Sequence, residues 1–342
     1  MTNRSLIALD LAKNIIQIAK ISKHGEIIFN KAQSPNKIRQ ILANTPPSIV
    51  AMEGCGSFHY WGQLAQEYGH EVRGMSPRQV KPFVSKQKTD ANDAIGIAVA
   101  ARQPGMPFCP VKTVEQQTIQ SLTVGRKSLV KQLTQIGNHI RALVYEYGIV
   151  INKTIKALKE ALILYSESTN NVLPDVIKAL FITLKEQYMF TGHSLKLVDK
   201  QLNQVVNNNE QCQRLLDLEG VGQLGAAGLV ANLSNANHFK CGRDASVYLG
   251  VTPKQLSSGG KTIMIGIDKF AGDKQLKSNL FLGALAYISH LPDIPKTQKQ
   301  QWLLQLVARA GVKRACIALV NKNVRTAWAM LKYGSTYQPI AA

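Results

Sequence analysis

The chain has 342 residues, with 41 lysines and arginines against 21 aspartates and glutamates, for a formal net charge of +20. That length suits two or three domains rather than one, and 45% hydrophobic residues can build real cores, which excludes a disordered basic tail. An excess of 20 positive charges on a folded chain points to a polyanionic partner, nucleic acid or an anionic membrane surface.

In chain order, residues 5–9 read as a short strand ending at Asp10. That aspartate interrupts the apolar run before a signal-peptide core can form. Residues 15–21 and 26–29 follow as two more short strands, with the turn-like Lys23-His24-Gly25 between them, so the first three predict an antiparallel meander. Residues 35–43 read as a helix, Pro46-Pro47 breaks the chain, and 48–52 read as a buried strand ending at Glu53. A helix over 58–68, with Gly69 as its C-cap, precedes a strand over 71–75. A basic stretch after Pro77 holds Arg78, Lys81, Lys86 and Lys88, and Asp90 opens a helix running to about Arg102. The order βββαβαβα predicts a mixed α/β domain over residues 1–108, bounded by Pro107 and Pro110.

Beyond that boundary, Ile119, Leu122, Leu129, Leu133, Ile136, Ile140 and Leu143 recur at spacings of three and four, with one skip at Arg126. This is the seam of a long amphipathic helix or coiled coil. Helical patterning continues through 151–206, so residues 109–208 read as a helical region serving as a spacer or a dimerisation arm. A third segment, 209–342, opens with Leu218-Glu219-Gly220-Val221-Gly222 before a small-residue helix over Gly225–Leu233. Gly220 and Gly222 form a helix-hairpin-helix type turn whose N–H groups can hold a phosphate, or simply a tight connection. Lys313 to Lys332 reads as one final helix, carrying Lys313, Arg314, Lys322, Arg325 and Lys332. Residues 235–342 hold 15 basic and 4 acidic side chains, which places the polyanion surface in the last third. No apolar run is long enough to span a bilayer, and Cys55, Cys109, Cys212, Cys241 and Cys316 show no CxxC or Cys/His ligand spacing. The expected setting is a reducing cytoplasm, with no structural zinc.

The acids of the first domain are the most informative residues. Asp10 ends the first strand, Glu53 ends a later one, and Asp90 and Asp93 lie three apart on one helix face. Plainer roles exist: Asp10 can cap its turn, and Asp90 can be an N-cap. Glu53 resists such a reading, since an acid at the end of a buried strand costs desolvation unless something compensates. Four carboxylates gathered at one sheet end repel unless a cation sits among them, and Mg²⁺ or Mn²⁺ prefers such oxygen ligands.

Asp10 in LDLAK, Glu53 in MEGCGS and KTDANDA at 88–94 resemble the DEDD transposases and site-specific recombinases of bacterial insertion sequences, the group that includes the Piv-type DNA invertases and the RNA-guided bridge recombinases. YLGVTPKQLSSGGK at 248–261 and KRACIALVNKNVRTAWAML at 313–331 are similar to that family's later motifs. The resemblance implies a RuvC-like, RNase H-type N-terminal domain, a helical coiled-coil middle, and a mostly helical C-terminal transposase domain. It implies that Asp10, Glu53, Asp90 and Asp93 bind the metal. It further implies that Ser258, in the Ser-Gly step, attacks DNA and forms a covalent phosphoserine link, with Ser257 an adjacent hydroxyl. The partners it implies are double-stranded DNA at element ends and target, a structured guide RNA encoded by the element, and further copies of the chain as a dimer or tetramer. Its implied location is the bacterial cytoplasm, at the nucleoid. Val251 stands where the family motif begins with Leu, and Gly54 where relatives often have Ala.

Lys13, Arg78, Lys81, Lys86 and Lys88 near the acids, and Gly220, Gly222, Lys254, Lys261, Lys313 and Arg314 in the last segment, are the expected nucleic-acid contacts. His59, Tyr60 and Trp61 can stack on a base, or pack the helix they start. Cys55 beside Glu53 lacks the His/Asn pattern of a thiol nucleophile. Three readings compete with a transposase: a RuvC-like junction nuclease using metal-activated water, a non-catalytic nucleic-acid binder, and an actin-like ATPase, for which no phosphate-loop pair is evident.

Overall fold

A computed structural model describes residues 4–84, 87, 89–167, 172–268 and 270–342. The chain divides into two compact units, Met1–Glu115 and Gln116–Ala342.

The first unit is built on a five-stranded sheet. Strands β1 (Leu6–Asp10), β2 (Ile16–Ile21) and β3 (Ile27–Gln33) form the expected antiparallel meander. Helix α1 (Pro35–Ala43) then leads to β4 (Ile49–Glu53), which pairs parallel to β1. After α2 (Phe58–Glu67), β5 (Glu71–Met75) pairs parallel to β4, completing the order β3-β2-β1-β4-β5. The short α3 (Pro77–Val80) and a 3₁₀ turn over Lys81–Phe83 precede α4 (Asp90–Ala101).

Strands β1 and β4 are buried on both faces, which is why they read as unbroken apolar runs. On one face, Leu6, Ala8, Ile49 and Ala51 pack with Ala94, Ile97, Ala98 and Ala101 of α4. On the other, Ile7, Leu9, Val50 and Met52 pack with α1 and α2. Alternation along a strand therefore carries Asp10 and Glu53, the next residues in register, to the α4 face. Small residues on both sides of that contact let α4 lie close to the sheet. Gly96 shows how closely α4 also meets the segment after the 3₁₀ turn: a Cβ there would meet Val84 Cγ2 at 2.7 Å. Strand β3 runs past the expected 26–29 through polar residues; as an edge strand it has one pairing neighbour, and Ile27 and Ile28 are exposed.

The second unit begins with long helices. The expected seam lies on α5 (Val114–Tyr145), with α6 (Ile155–Leu164) and α7 (Asp175–Asn208) beyond it. Ile136, Ile140 and Val144 near the end of α5 pack with Phe181 and Leu184 near the start of α7, while Ile119 packs with Leu202 and Val206, so the two helices run antiparallel. Arg126 and Asp199 join them at 2.6 Å.

The remainder comprises α8 (Glu210–Leu215), α9 (Gln223–Leu233), α10 (Gly242–Tyr248), a hairpin of β6 (Pro253–Ser258) and β7 (Lys261–Ile267), α11 (Lys274–Ser289), α12 (Gln298–Ala310) and α13 (Val312–Tyr333). Helix α9 is buried from Gly225 to Leu233 and forms the centre of this core. Every residue of β6 is exposed, and β7 is exposed up to Gly266. No helix among the described residues is long and apolar enough to cross a membrane.

Candidate metal centre and nucleic-acid interface

Three acids come together at one end of the sheet. Asp10, Asp90 and Asp93 each offer a carboxylate oxygen, all within 4.8 Å of one another. The parallel β1–β4 pairing, with Leu9 opposite Met52, sets Glu53 beside Asp10. Burial first, then the charges of Asp10 and Asp93, push the Glu53 carboxyl above its usual range. The four acids thus form one electrostatic group, with repulsion that a divalent cation relieves. An all-carboxylate donor set suits a hard, oxygen-seeking ion.

Helix α4 delivers two of the four. Its N-cap is Thr89, whose side chain accepts from Asn92 N–H, so capping does not fall to Asp90. Asp90 and Asp93 occupy the first turn, where the helix dipole favours negative charge. The start of α4 is tied to the meander: Asn30 Nδ2 donates to the Ala91 carbonyl at 2.9 Å, and Gln17 Nε2 donates to Asn30 Oδ1 at 2.7 Å. Gln17 is itself the register partner of Asp10. Sequence reasoning passed over Asn30 and Gln17, because polar residues in an edge meander carry no local signal of a contact 61 residues away.

After Glu53 the chain turns sharply. Gly54 N–H donates to the Met75 carbonyl at 2.7 Å, and Ser57 takes a left-handed φ of 64°. Burial, then the charges of Glu53 and Asp10, raise the Cys55 thiol, which keeps it protonated and un-nucleophilic. The aromatic run of α2 is split: Trp61 is buried in the core, His59 Nδ1 accepts from Lys112 N–H, and Tyr60 is exposed, its Oη accepting from Arg39 Nε.

Ser258 ends β6 at the tip of the hairpin. Gly259 and Gly260 take φ of 53° and 77°, the pattern of a type I′ turn that only glycines enter easily. Ser258 pairs with Lys261 and Ser257 with Thr262, so the two serines point to opposite faces. Ser257 Oγ lies 3.3 Å from Thr262 Oγ1 and accepts from Gln255 Nε2.

The expected basic contacts fall in different settings. Lys13, Arg78 and Lys81 are exposed on the first unit; Lys86 and Lys88 lie outside the described residues. Lys254 is bound to Asp268 at 2.8 Å across the hairpin base. Lys261, Lys313 and Arg314 are exposed. Gly220, with φ 75°, faces the backbone of α11, where a Cβ would meet Gly283 O at 2.9 Å; Gly222 is exposed ahead of α9. The carboxylate of Glu219, just before Gly220, is tied down by Lys299 and Tyr337, and its backbone carbonyl accepts from Asn323.

A family model described as a transposase, of the DEDD type named for IS110, matches residues 7–149. A second, described as the transposase IS116/IS110/IS902 family, matches 212–300. The transposase for insertion sequence element IS1111A of Coxiella burnetii is 34% identical, covering 99% of this chain and 92% of its own. The transposase for insertion sequence element IS1328 of Yersinia enterocolitica is 31% identical over 98% of this chain and 99% of its own. The pilin gene-inverting protein of Moraxella bovis is 22% identical over 96% of each.

Proposed function

The chain belongs to the IS116/IS110/IS902 transposase family, and from that premise we propose that it cuts and rejoins DNA through a covalent phosphoserine formed by Ser258, with a divalent cation held by Asp10, Glu53, Asp90 and Asp93. The observation that carries this reading is the convergence of the acids on the α4 face of the sheet, in a member of a transposase family. The N-terminal region is read as the RuvC-like, RNase H-type catalytic domain over 1–108. Residues 109–208 are read as the oligomerisation arm, and 209–342 as the domain that carries the serine.

The residues have separable roles. Ser258 Oγ attacks phosphorus, one phosphoester bond breaks, and the departing sugar oxygen takes a proton as the hydroxyl's own proton leaves. The phosphodiester bond energy is kept in the phosphoserine, so a sugar hydroxyl of another strand can reverse the step with no nucleotide cofactor. Bound Mg²⁺ or Mn²⁺ supplies Lewis-acid polarisation of the scissile phosphate. Asn30 and Gln17 hold the start of α4, and with it Asp90 and Asp93, against the sheet. Lys13, Arg78 and Lys81 meet the DNA backbone near the acids. A guide RNA encoded by the element pairs with end and target, so base pairing reads sequence while the protein reads backbone.

The test is recombination in vitro. The chain, its element ends, the flanking transcript, target DNA and Mg²⁺ are expected to yield joined product. Asp10→Asn and Asp93→Asn each abolish it, as does omission of the transcript. Joining that persists without transcript removes the guide from the account, and joining that persists in both variants removes the metal site.

A further inference from the structure

The most basic part of the chain encloses a groove to which the reaction above assigns no role. It lies in the second unit, between α10, α12, α13 and the base of the β6–β7 hairpin. Five cations line it, Arg243, Lys313, Arg314, Lys322 and Arg325, and no acid does. All five are exposed, and none has an ion-pair partner among the described residues. The remaining lining is mostly apolar, including Val247, Ile265, Leu306 and Ile317. Val247 and Ile265 are 56% and 47% exposed, so this apolar surface faces water.

Size, charge and polarity together select the occupant. At about 2070 Å³ the groove exceeds the roughly 300–1,000 Å³ of small-molecule pockets, which favours a polymer. Unpaired cations without a single acid select a polyanion. A duplex keeps its bases stacked inside and presents phosphates outward, so an apolar lining offers it nothing. A single strand exposes both parts: phosphates for the cations and unstacked bases for the apolar surface. The two tryptophans of the groove are already committed. Lys322 Nζ sits 4.7 Å from the Trp302 ring centroid, and Trp328 is buried with its indole N–H donated to the Ala236 carbonyl. The grip is therefore aliphatic burial with phosphate pairing, rather than aromatic stacking.

We propose that this groove holds a single strand of nucleic acid, its phosphates on Arg243, Lys313, Arg314, Lys322 and Arg325 and its bases against Val247, Ile265 and Ile317. The proposal deepens the functional reading above and rests on it only for the source of the strand: an unpaired segment of guide RNA, or DNA displaced from a duplex.

The test is equilibrium binding by the full chain in EDTA, without catalysis, so its outcome is independent of Ser258 and the metal site. Fluorescence anisotropy is read with an oligothymidine, an oligouridine and a mixed-sequence duplex. The variants are Arg243→Gln/Lys322→Gln/Arg325→Gln and, separately, Val247→Glu, each checked by thermal melting. The triple variant is expected to bind both single strands at least about tenfold more weakly, with a salt slope smaller by about 2, from three contacts at about 0.7 each. Val247→Glu is expected to weaken single strands in the same direction, and duplex affinity stays within about twofold in both. Stronger binding of oligouridine identifies the guide as the source; stronger binding of oligothymidine identifies displaced DNA. Unchanged single-strand affinity in both variants, or an equal loss for duplex, overturns the proposal.

Discussion

The side-chain amide of Asn30 donates to the backbone carbonyl of Ala91 at 2.9 Å, joining the edge of the sheet to the first turn of the helix that carries Asp90 and Asp93. Asn30 acts through position, since the acids themselves belong to other elements. Asn30→Ala is expected to cost about 1 kcal/mol of stability, the worth of one partly buried hydrogen bond. Its larger effect falls on the metal: affinity for Mn²⁺ drops about ten- to hundredfold, as for other supports of ligand residues. Mn²⁺ titration followed by melting separates the two effects. A lower melting temperature with unchanged Mn²⁺ affinity would reduce Asn30 to a structural residue.

Glu53 sets the pH behaviour of the metal-free protein. Burial, Asp10 and Asp93 raise its carboxyl above the ordinary value, so the folded state holds that proton more tightly than the unfolded chain. Its stabilising contribution is complete below the ordinary carboxylate range and is lost as pH rises through the raised value. Metal-free Glu53→Gln is therefore expected to melt higher than the parent at neutral pH, and Mg²⁺ or Mn²⁺ to raise the parent's melting temperature more than the variant's. Scanning calorimetry with and without metal reads both.

His59 works in the opposite direction. Burial, with the Lys112 charge second, lowers its imidazole from 6.5 to about 4, and Nδ1 accepts from Lys112 N–H. A lowered value means stability that is complete above pH 6.5 and lost as pH falls toward about 4. The first unit is expected to lose stability across that window. His59→Asn, which keeps an acceptor without the titration, flattens the loss when melting is followed against pH.

Lys299 and Glu219 form a buried pair beneath the Gly220–Gly222 turn, their side chains 8% and 11% exposed, with Asn323 and Tyr337 completing the cluster. Burial and the neighbouring Glu219 charge hold the Tyr337 phenol protonated, so it donates to that carboxylate. Lys299→Met strands a buried charge and is expected to cost about 3–5 kcal/mol. Lys299→Met/Glu219→Gln recovers most of that loss in urea unfolding; a double variant as weak as the single would place the cost in packing instead.

Legibility in the sequence followed the range of the forces involved. The strands ending in Asp10 and Glu53, and the helix opened by Asp90, were readable because a buried strand writes an apolar run and an acidic first turn followed by small apolar residues writes a helix start; the cap itself is Thr89, where the sequence offered Asp90. The carboxylates stood out against those runs. That they share a face follows from strand alternation, but only once the parallel β1–β4 register is known. The β6–β7 hairpin was hidden: both its faces are exposed, so Lys254–Ser258 lacks an in-and-out pattern, and Ser-Ser-Gly-Gly reads equally as a loop. The groove was hidden for another reason. Lys322 and Arg325 were visible on their helix, but Arg243 joins them only through the packing of α10 on α13, where Gly242 would meet Arg325 Cα at 3.1 Å if it carried a Cβ.

In the proposed reaction the Ser258 oxygen becomes bonded to DNA phosphorus. Ser257 and Ser258 sit on opposite faces of one exposed hairpin, so either can be replaced without disturbing a core. The direct measurement is to trap the reaction with labelled element ends and Mg²⁺ under denaturing conditions, and to locate the modified residue by peptide mass spectrometry. A DNA-linked peptide modified at Ser258 is expected, formed by the parent and by Ser257→Ala and absent from Ser258→Ala. Cleaved DNA ends with no linked peptide, or an adduct that survives Ser258→Ala, would contradict it.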